Sequence, residues 1–247
     1  RGEGKKEEKI LGFRLVWFNS KYRKTNMKNI KHTTAAELAA AVELLRRSAR
    51  HRVLKRLPEP FSNLPEDLPD DHRICVIVDV ETTGLNPASD AIIELGLMWF
   101  VVDTDGNVIS HATPISWLED PGVPLSQTIT RVTGLKDDDL AGTRLDVPRI
   151  KQIFDRADMF VAHNAGFDLG FMERRFPSVV VKPWACSLQE IPGKELGLPC
   201  CSLGHLLMEH GHFFNGHRAA ADVWATFQLL QMSEADRLNV VPDADTQ

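Results

Sequence analysis

No apolar run in this sequence approaches the roughly 20 residues that a membrane-spanning helix needs, so no membrane partner is expected. Ile10 to Phe18 is apolar-rich, but it is short and carries Arg14, and no small-residue cleavage site follows it. We do not read it as a signal peptide. Cysteine is scarce: Cys75, Cys186, Cys200 and Cys201 are the full set. None of them stands two to four residues from another, which argues against a zinc knuckle. The pattern fits reduced thiols and a cytoplasmic location, not a disulfide framework. We find no internal repeat. The chain begins with Arg1 and not Met, and is read as a fragment or a processed form.

What is present fits one large domain or one domain with an appendage. The chain has 247 residues, and its 43% hydrophobic and 26% charged content is that of a globular protein. The net charge of −5 hides an asymmetry. Residues 1–70 carry 16 Lys+Arg and 9 Asp+Glu, a net of +7; residues 71–247 carry 13 and 25, a net of −12. A basic leader on an acidic body is a positional signal. An acidic body disfavours a broad phosphate-binding surface, but it suits a small site where metal ions neutralise protein and substrate charge together.

Residues 34–57 read as a helix. Thr34 and Glu37 form a capping-box signal, and Leu38, Val42, Leu45, Ala49 and Val53 recur at helical spacing. Its C-terminal half is crowded with arginine and lysine, either a solvated face or a partner-binding one. Pro58, Pro60, Pro65 and Pro69 make Leu57 to Asp70 read as a stiff linker. The expected organisation is therefore a basic extension over 1–70, a main domain over 71–235 and a tail over 236–247. Within the domain, Arg73 onward, Ala91 to Val102 and Val108 to Trp117 read as three strands of a meander. Helix and strand then alternate: a helix from Val147 to Arg156, a strand from Met159 to Ala162, a helix through Phe176, and a last helix from Arg218 to Met232. This order indicates an α/β domain with a mixed sheet of five strands flanked by helices.

Two carboxylates interrupt the first strand. Asp79 and Glu81 lie two residues apart, so they point to the same face. Like charges on one face of a buried strand repel and cost desolvation, unless a cation sits between them. The alternative is a strand end whose carboxylates are solvated. Asp168 stands just past the end of the Met159–Ala162 strand, where ligands gather in open α/β sheets. Asp222 lies on the last helix, with His217 five residues before it, a little over one turn.

The segments Val78-Asp79-Val80-Glu81-Thr82-Thr83-Gly84, His163-Asn164-Ala165-Gly166-Phe167-Asp168 and His217-Arg218-Ala219-Ala220-Ala221-Asp222 resemble, in order, the three motifs of the DEDDh 3′–5′ exonucleases. Within that family the chain looks most like the proofreading epsilon subunit of bacterial DNA polymerase III and its stand-alone relatives. The resemblance covers residues 73–232 and implies a ribonuclease H-like fold. It implies two Mg²⁺ or Mn²⁺ ions held by Asp79, Glu81, Asp168 and Asp222, with Asp79 between them, and His217 as the general base. Thr82, Thr83, Gly84 and Leu85 would receive the 3′-terminal nucleotide. Asn164 would contact substrate, and Phe167 would either stack on a base or pack in the core. The implied substrate is a DNA 3′ end, with RNA trimming by the same chemistry as the alternative. A non-catalytic nucleic-acid or polymerase-binding module is the alternative from another class. Residues 1–70 are the candidate surface for a DNA polymerase or another replication or repair protein.

Overall fold

The computed structural model describes residues 34–191 and 197–232, and the expected tail at 236–247 lies outside them. The chain divides into two units, Arg1–Val53 and Leu54–Gln247. In the first, α1 (Ala35–Arg46) begins as the sequence predicts. The Thr34 side chain accepts from the Glu37 amide, and the Thr34 amide donates back to Glu37 Oε2, a complete capping box. The helix stops at Arg46 and does not run to residue 57. Ser48 supplies the local competition: its hydroxyl takes the Arg50 amide and meets the His51 ring. None of the α1 residues is buried.

The second unit starts earlier than a boundary near residue 71. Lys55–Arg56 form a short strand, β1, pairing in parallel with His212–Phe213, which is β8. Leu57 then drops into an apolar cluster with Leu203, Leu206, Leu207, Ala225 and Leu229. The indole N–H of Trp224 donates to the Pro58 carbonyl at 2.8 Å, and Asn63 bridges to His111. The prolines thus stiffen a strap laid across the domain. These contacts place residues 55–58 and Asn63 on the second unit, ahead of the start expected at 71 and inside the stretch read as a linker.

The main sheet holds β2 (Arg73–Thr82), β3 (Ile92–Val102), β4 (Val108–His111), β5 (Ile115–Leu118), β6 (Met159–Ala162) and β7 (Trp184–Cys186). Its path is β4-β3-β2-β6-β7, and β5 pairs with the other end of β3. It has six strands, one more than the five predicted, because the stretch read as one strand from Val108 to Trp117 breaks at Ala112–Pro114. Its halves pair with different segments of the eleven-residue β3. The β2–β3 pairing is antiparallel, whereas β6 runs parallel to both β2 and β7. The mixed sheet with helices on both faces is the architecture that the motif resemblance implies.

Each face of the sheet buries one side of the alternating strands. Short helices α2 (Gln127–Thr133) and α3 (Asp137–Leu140) follow β5, and α6 (Ser187–Glu190) follows β7. Val76, Val78 and Val80 face α4 (Val147–Arg156) and α5 (Ala165–Arg175), against Ile150, Phe154, Phe171 and Met172. Cys75 and Ile77, with Met98 and Phe100 of β3, face the last helix, α8 (Ala219–Gln231), through Val223, Trp224 and Phe227. Lys182 donates to the carbonyls of Phe154 and Asp155 at the end of α4, where a cation complements the helix dipole. No helix among the described residues is long and apolar enough to cross a membrane.

Candidate active site

Asp79 and Glu81 continue the face of β2 that Cys75 and Ile77 present to α8. Three features bring α8 close enough to answer them. Gly96, the register partner of Asp79 on β3, carries no side chain, and the backbone of Ala219 occupies that space. A Cβ at Gly96 would lie 2.4 Å from the Ala219 carbonyl carbon. His217 has φ 65°, a left-handed backbone rarely adopted outside glycine, and turns the chain into the helix. The amide of Arg218 then donates to Asp222 Oδ2 at 3.1 Å, which draws that carboxylate to the helix N-terminus.

As a result, Asp79, Glu81 and Asp222 each offer an oxygen within 4.8 Å of the others, the one such group among the described residues. Asp168 comes to the same place from α5 but not into that group. It is 2% exposed, and its Oδ1 accepts the Val80 amide at 3.1 Å. The bond forms on the side of β2 where β6 has already ended. One carboxylate oxygen of Asp168 is thus spent on holding α5 to β2, beside Asp79.

Electrostatically the cluster is under strain. Burial, followed by repulsion from Asp168, Asp222, Glu81 and Glu94, pushes the Asp79 carboxyl well above its ordinary range. Burial, with Asp222 and Glu94 beside it, raises Glu81 to about 7, against the pull of Arg218. Burial raises Asp168 to about 8, partly offset by the Val80 amide. Burial raises Asp222 to about 6, offset by the Arg218 amide and by His217. A set of oxygens this crowded demands either protons or a cation, and an all-oxygen donor set suits a hard divalent ion.

The sequence profile of the exonuclease family matches residues 76–230, from the first strand to the last helix. The chain belongs to the exonuclease family. Among curated members, the PolC-type DNA polymerase III of Bacillus cereus is 32% identical over 172 residues, 63% of this chain and 11% of that protein. The PolC-type enzyme of Streptococcus suis is 33% identical over 170 residues, 66% of this chain and 11% of that protein. The chain therefore spans about 11% of the length of these relatives. Among solved structures, an exonuclease I structure superposes with a TM-score of 0.54 at 20% identity. The zinc-bound E. coli ExoI–single-stranded DNA complex gives 0.52 at 18%. Both likenesses cover 67% of this chain and 42% of the other, and show a shared fold.

Within this exonuclease domain the remaining predicted residues lie in the loop after β2 and around the start of α5. Thr82 is buried and its hydroxyl donates to the Gly84 carbonyl. The Thr83 hydroxyl donates to Asp90 Oδ1 and accepts the Ala91 amide, while Asp90 Oδ2 takes the Asn86 amide. Asp90 thereby closes the loop after β2, and a Cβ at Gly84 would strike its carboxylate at 2.5 Å. Leu85 stands out from that loop, 83% exposed. Asn164 is exposed in a left-handed turn (φ 77°) and makes no side-chain cap. Phe167 is half-buried, 5.1 Å from the Phe171 ring and packed on the core.

Glu94 is the residue that sequence reasoning missed. It sits opposite Glu81 on β3, 1% exposed, and pairs with Arg218. The signal was present, an acidic residue inside the apolar run from Ala91 to Val102. Its meaning needed a partner 124 residues away.

Proposed function

We propose that the domain is a divalent-metal-dependent 3′–5′ exonuclease that hydrolyses the terminal phosphodiester of DNA, at single-stranded or frayed 3′ ends, and releases nucleoside 5′-monophosphates. The observation that carries the reading is the convergence of Asp79, Glu81 and Asp222 within 4.8 Å, with His217 exposed at the start of the helix that bears Asp222. These three carboxylates would hold Mg²⁺ or Mn²⁺, with Asp168 alongside them in a two-ion arrangement. Bound divalent cations supply positive charge for the attacking and leaving oxygens of an in-line displacement.

The chain's own residues do the rest. His217, on a fixed turn one helical step from Asp222, takes the proton of the attacking water. The Thr82–Gly84 backbone, held by Asp90, forms a rigid lip for the terminal sugar, and Leu85 presents an apolar side chain to the terminal base. Asn164, free of capping duty, would contact the strand being read, while Phe167 packs on the core. The PolC-type relatives are DNA polymerases, which favours DNA over RNA and a proofreading or repair role. A polymerase or another replication protein is the partner we assign to the basic extension, where Leu38 and Leu44 of α1 are exposed.

The test compares single-stranded DNA and RNA, each labelled at the 3′ or the 5′ end, with Mg²⁺ and with chelator. Immediate release of a labelled mononucleotide from 3′-labelled DNA is expected, together with a ladder from the 5′-labelled strand. Release from the 5′ end, internal cutting, or activity undiminished by chelator would overturn the proposal. Faster digestion of RNA would reassign the substrate to RNA trimming.

A further inference from the structure

We propose that Glu94 and Arg218 form the positioning device that sets His217 and the first turn of α8 against the carboxylates of β2. The inference rests on the nuclease reading above for its kinetic consequences, but the geometry stands apart from it. Glu94 faces Glu81 directly across the β2–β3 ladder, and like charges in that relation destabilise a sheet. At 1% exposure its carboxylate must also be paired or it carries a large desolvation cost. Arg218 supplies the partner twice over, with Nε at 2.9 Å from Oε2 and Nη2 at 3.2 Å from Oε1. This is the bidentate geometry that a guanidinium makes and an ammonium does not.

Glu94 does a second job. The amide of Ala219, the first residue of α8, donates to Glu94 Oε2 at 3.4 Å. Arg218, at the N-cap position, offers no side-chain cap of its own. The cap of α8 therefore comes from a strand across the domain, and an anion there also suits the helix dipole. The helix cannot rotate or slide without breaking its bonds to the buried Glu94 carboxylate of β3.

His217 lies immediately before this anchor. Its left-handed backbone is strained for a residue with a Cβ, and such strain persists only where neighbours over-determine it. On one side, Arg218 is fixed through its side chain to Glu94 and through its amide to Asp222. On the other, Gly216 is confined: a Cβ there would lie 3.3 Å from Asp222 Oδ1. The imidazole is thus aimed by a residue that need not touch substrate. The same guanidinium stays half exposed and sits close enough to Glu81 to oppose the rise in its pKa.

The test uses the full chain and three variants: Arg218→Lys, Glu94→Gln, and the double variant Glu94→Leu/Arg218→Met. The double variant removes the pair without leaving a buried charge, so it keeps the fold if either single variant fails. The readouts are kcat and KM on 3′-labelled single-stranded DNA, Mn²⁺ affinity by calorimetry, and the His217 ring resonances by NMR with labelled histidine. A misaimed catalytic group predicts kcat lower by roughly 10- to 100-fold with KM and Mn²⁺ affinity within about threefold of the parent. The His217 resonances should move in all three variants, and Arg218→Lys should recover only part of kcat. Unchanged kcat and unmoved His217 resonances in the folded double variant would overturn the proposal. A parent chain that cuts no nucleic acid overturns the nuclease reading instead, and the His217 resonances then decide the positioning role alone.

Discussion

Gly96 lies directly beneath Ala219, so that a single methyl group at position 96 would stand 2.4 Å from the backbone of α8. The strand residue opposite Gly96 is Asp79, and the helix above it carries Asp222. The distance between the two halves of the carboxylate group is therefore set by the absence of a side chain. The two nearest atoms are backbone and the third is the Ala219 Cβ, so none can rotate away. Gly96→Ala is expected to cost about 1–3 kcal/mol, the range for overpacking a filled interior. It should also lift α8 and weaken Mn²⁺ binding, measured by urea denaturation and calorimetry. A variant with parental stability and parental Mn²⁺ affinity would show that the helix has room to move.

The ligand set and the proton acceptor should separate under mutation. Asp79→Ala and Asp222→Ala each remove an oxygen from the convergent group, and both should lose Mn²⁺ binding together with digestion of single-stranded DNA. His217→Ala removes no ligand. It should keep Mn²⁺ affinity and lower kcat by roughly 10²- to 10⁴-fold, the usual contribution of a positioned acid or base. Loss of Mn²⁺ binding in His217→Ala, or normal turnover in Asp79→Ala, contradicts the assignment of these roles.

The parts of the fold that were legible in the sequence are those whose pattern is local. The helix Val147–Arg156 and the strand Met159–Ala162 fall where periodicity and β-branched composition put them. Asp79, Glu81 and Asp222 could be read because each sits in a compact motif, beside a strand end or at a helix start. Asp168 was legible as a carboxylate just past a strand end, but not its bond to the Val80 amide, which depends on β6 ending short of β2. Glu94 and Leu57 were not legible for a related reason. Glu94 gains its role from Arg218, and Leu57 from residues near 203–229, both far along the chain. Two-residue strands such as Lys55–Arg56 carry no pattern at all, and the prolines after them mimic a linker.

Leu57 offers a direct test of the strap. Its side chain joins a cluster with α7 (Leu203–Glu209) and α8, and its amide donates to the Phe213 carbonyl at 2.9 Å. Leu57→Ala should cost about 2–4 kcal/mol, as deletion of a buried leucine side chain does. Leu64→Ala, at a position 59% exposed, should cost little. Equal and small effects in both variants, measured by urea denaturation, would return residues 54–63 to the status of a linker.

Stability should fall with rising pH when divalent ions are withheld, and the site should be the cause. Glu81 rises from 4.5 to about 7, Asp168 from 3.8 to about 8, and Asp222 from 3.8 to about 6 on folding. A carboxyl whose pKa is raised in the folded state binds its proton more tightly there than in the unfolded chain. Its contribution is complete below the ordinary carboxylate range and is lost as pH passes upward through the folded value. The window therefore runs from near pH 4 to pH 8, opposite to that of a carboxylate held by a salt bridge. Divalent ions favour the ionised oxygens and compete with those protons, so Mg²⁺ or Mn²⁺ should raise Tm more at pH 8 than at pH 5. Asp79→Asn removes one of the crowded charges, so it should flatten the ion-free profile and abolish the ion-dependent rise. The measurement is Tm from pH 4.5 to pH 8.5 for parent and variant, each with chelator and with millimolar Mn²⁺. An ion-free parent that gains stability across that range would mean that the carboxylates of β2 and α8 are already balanced by charges elsewhere in the domain.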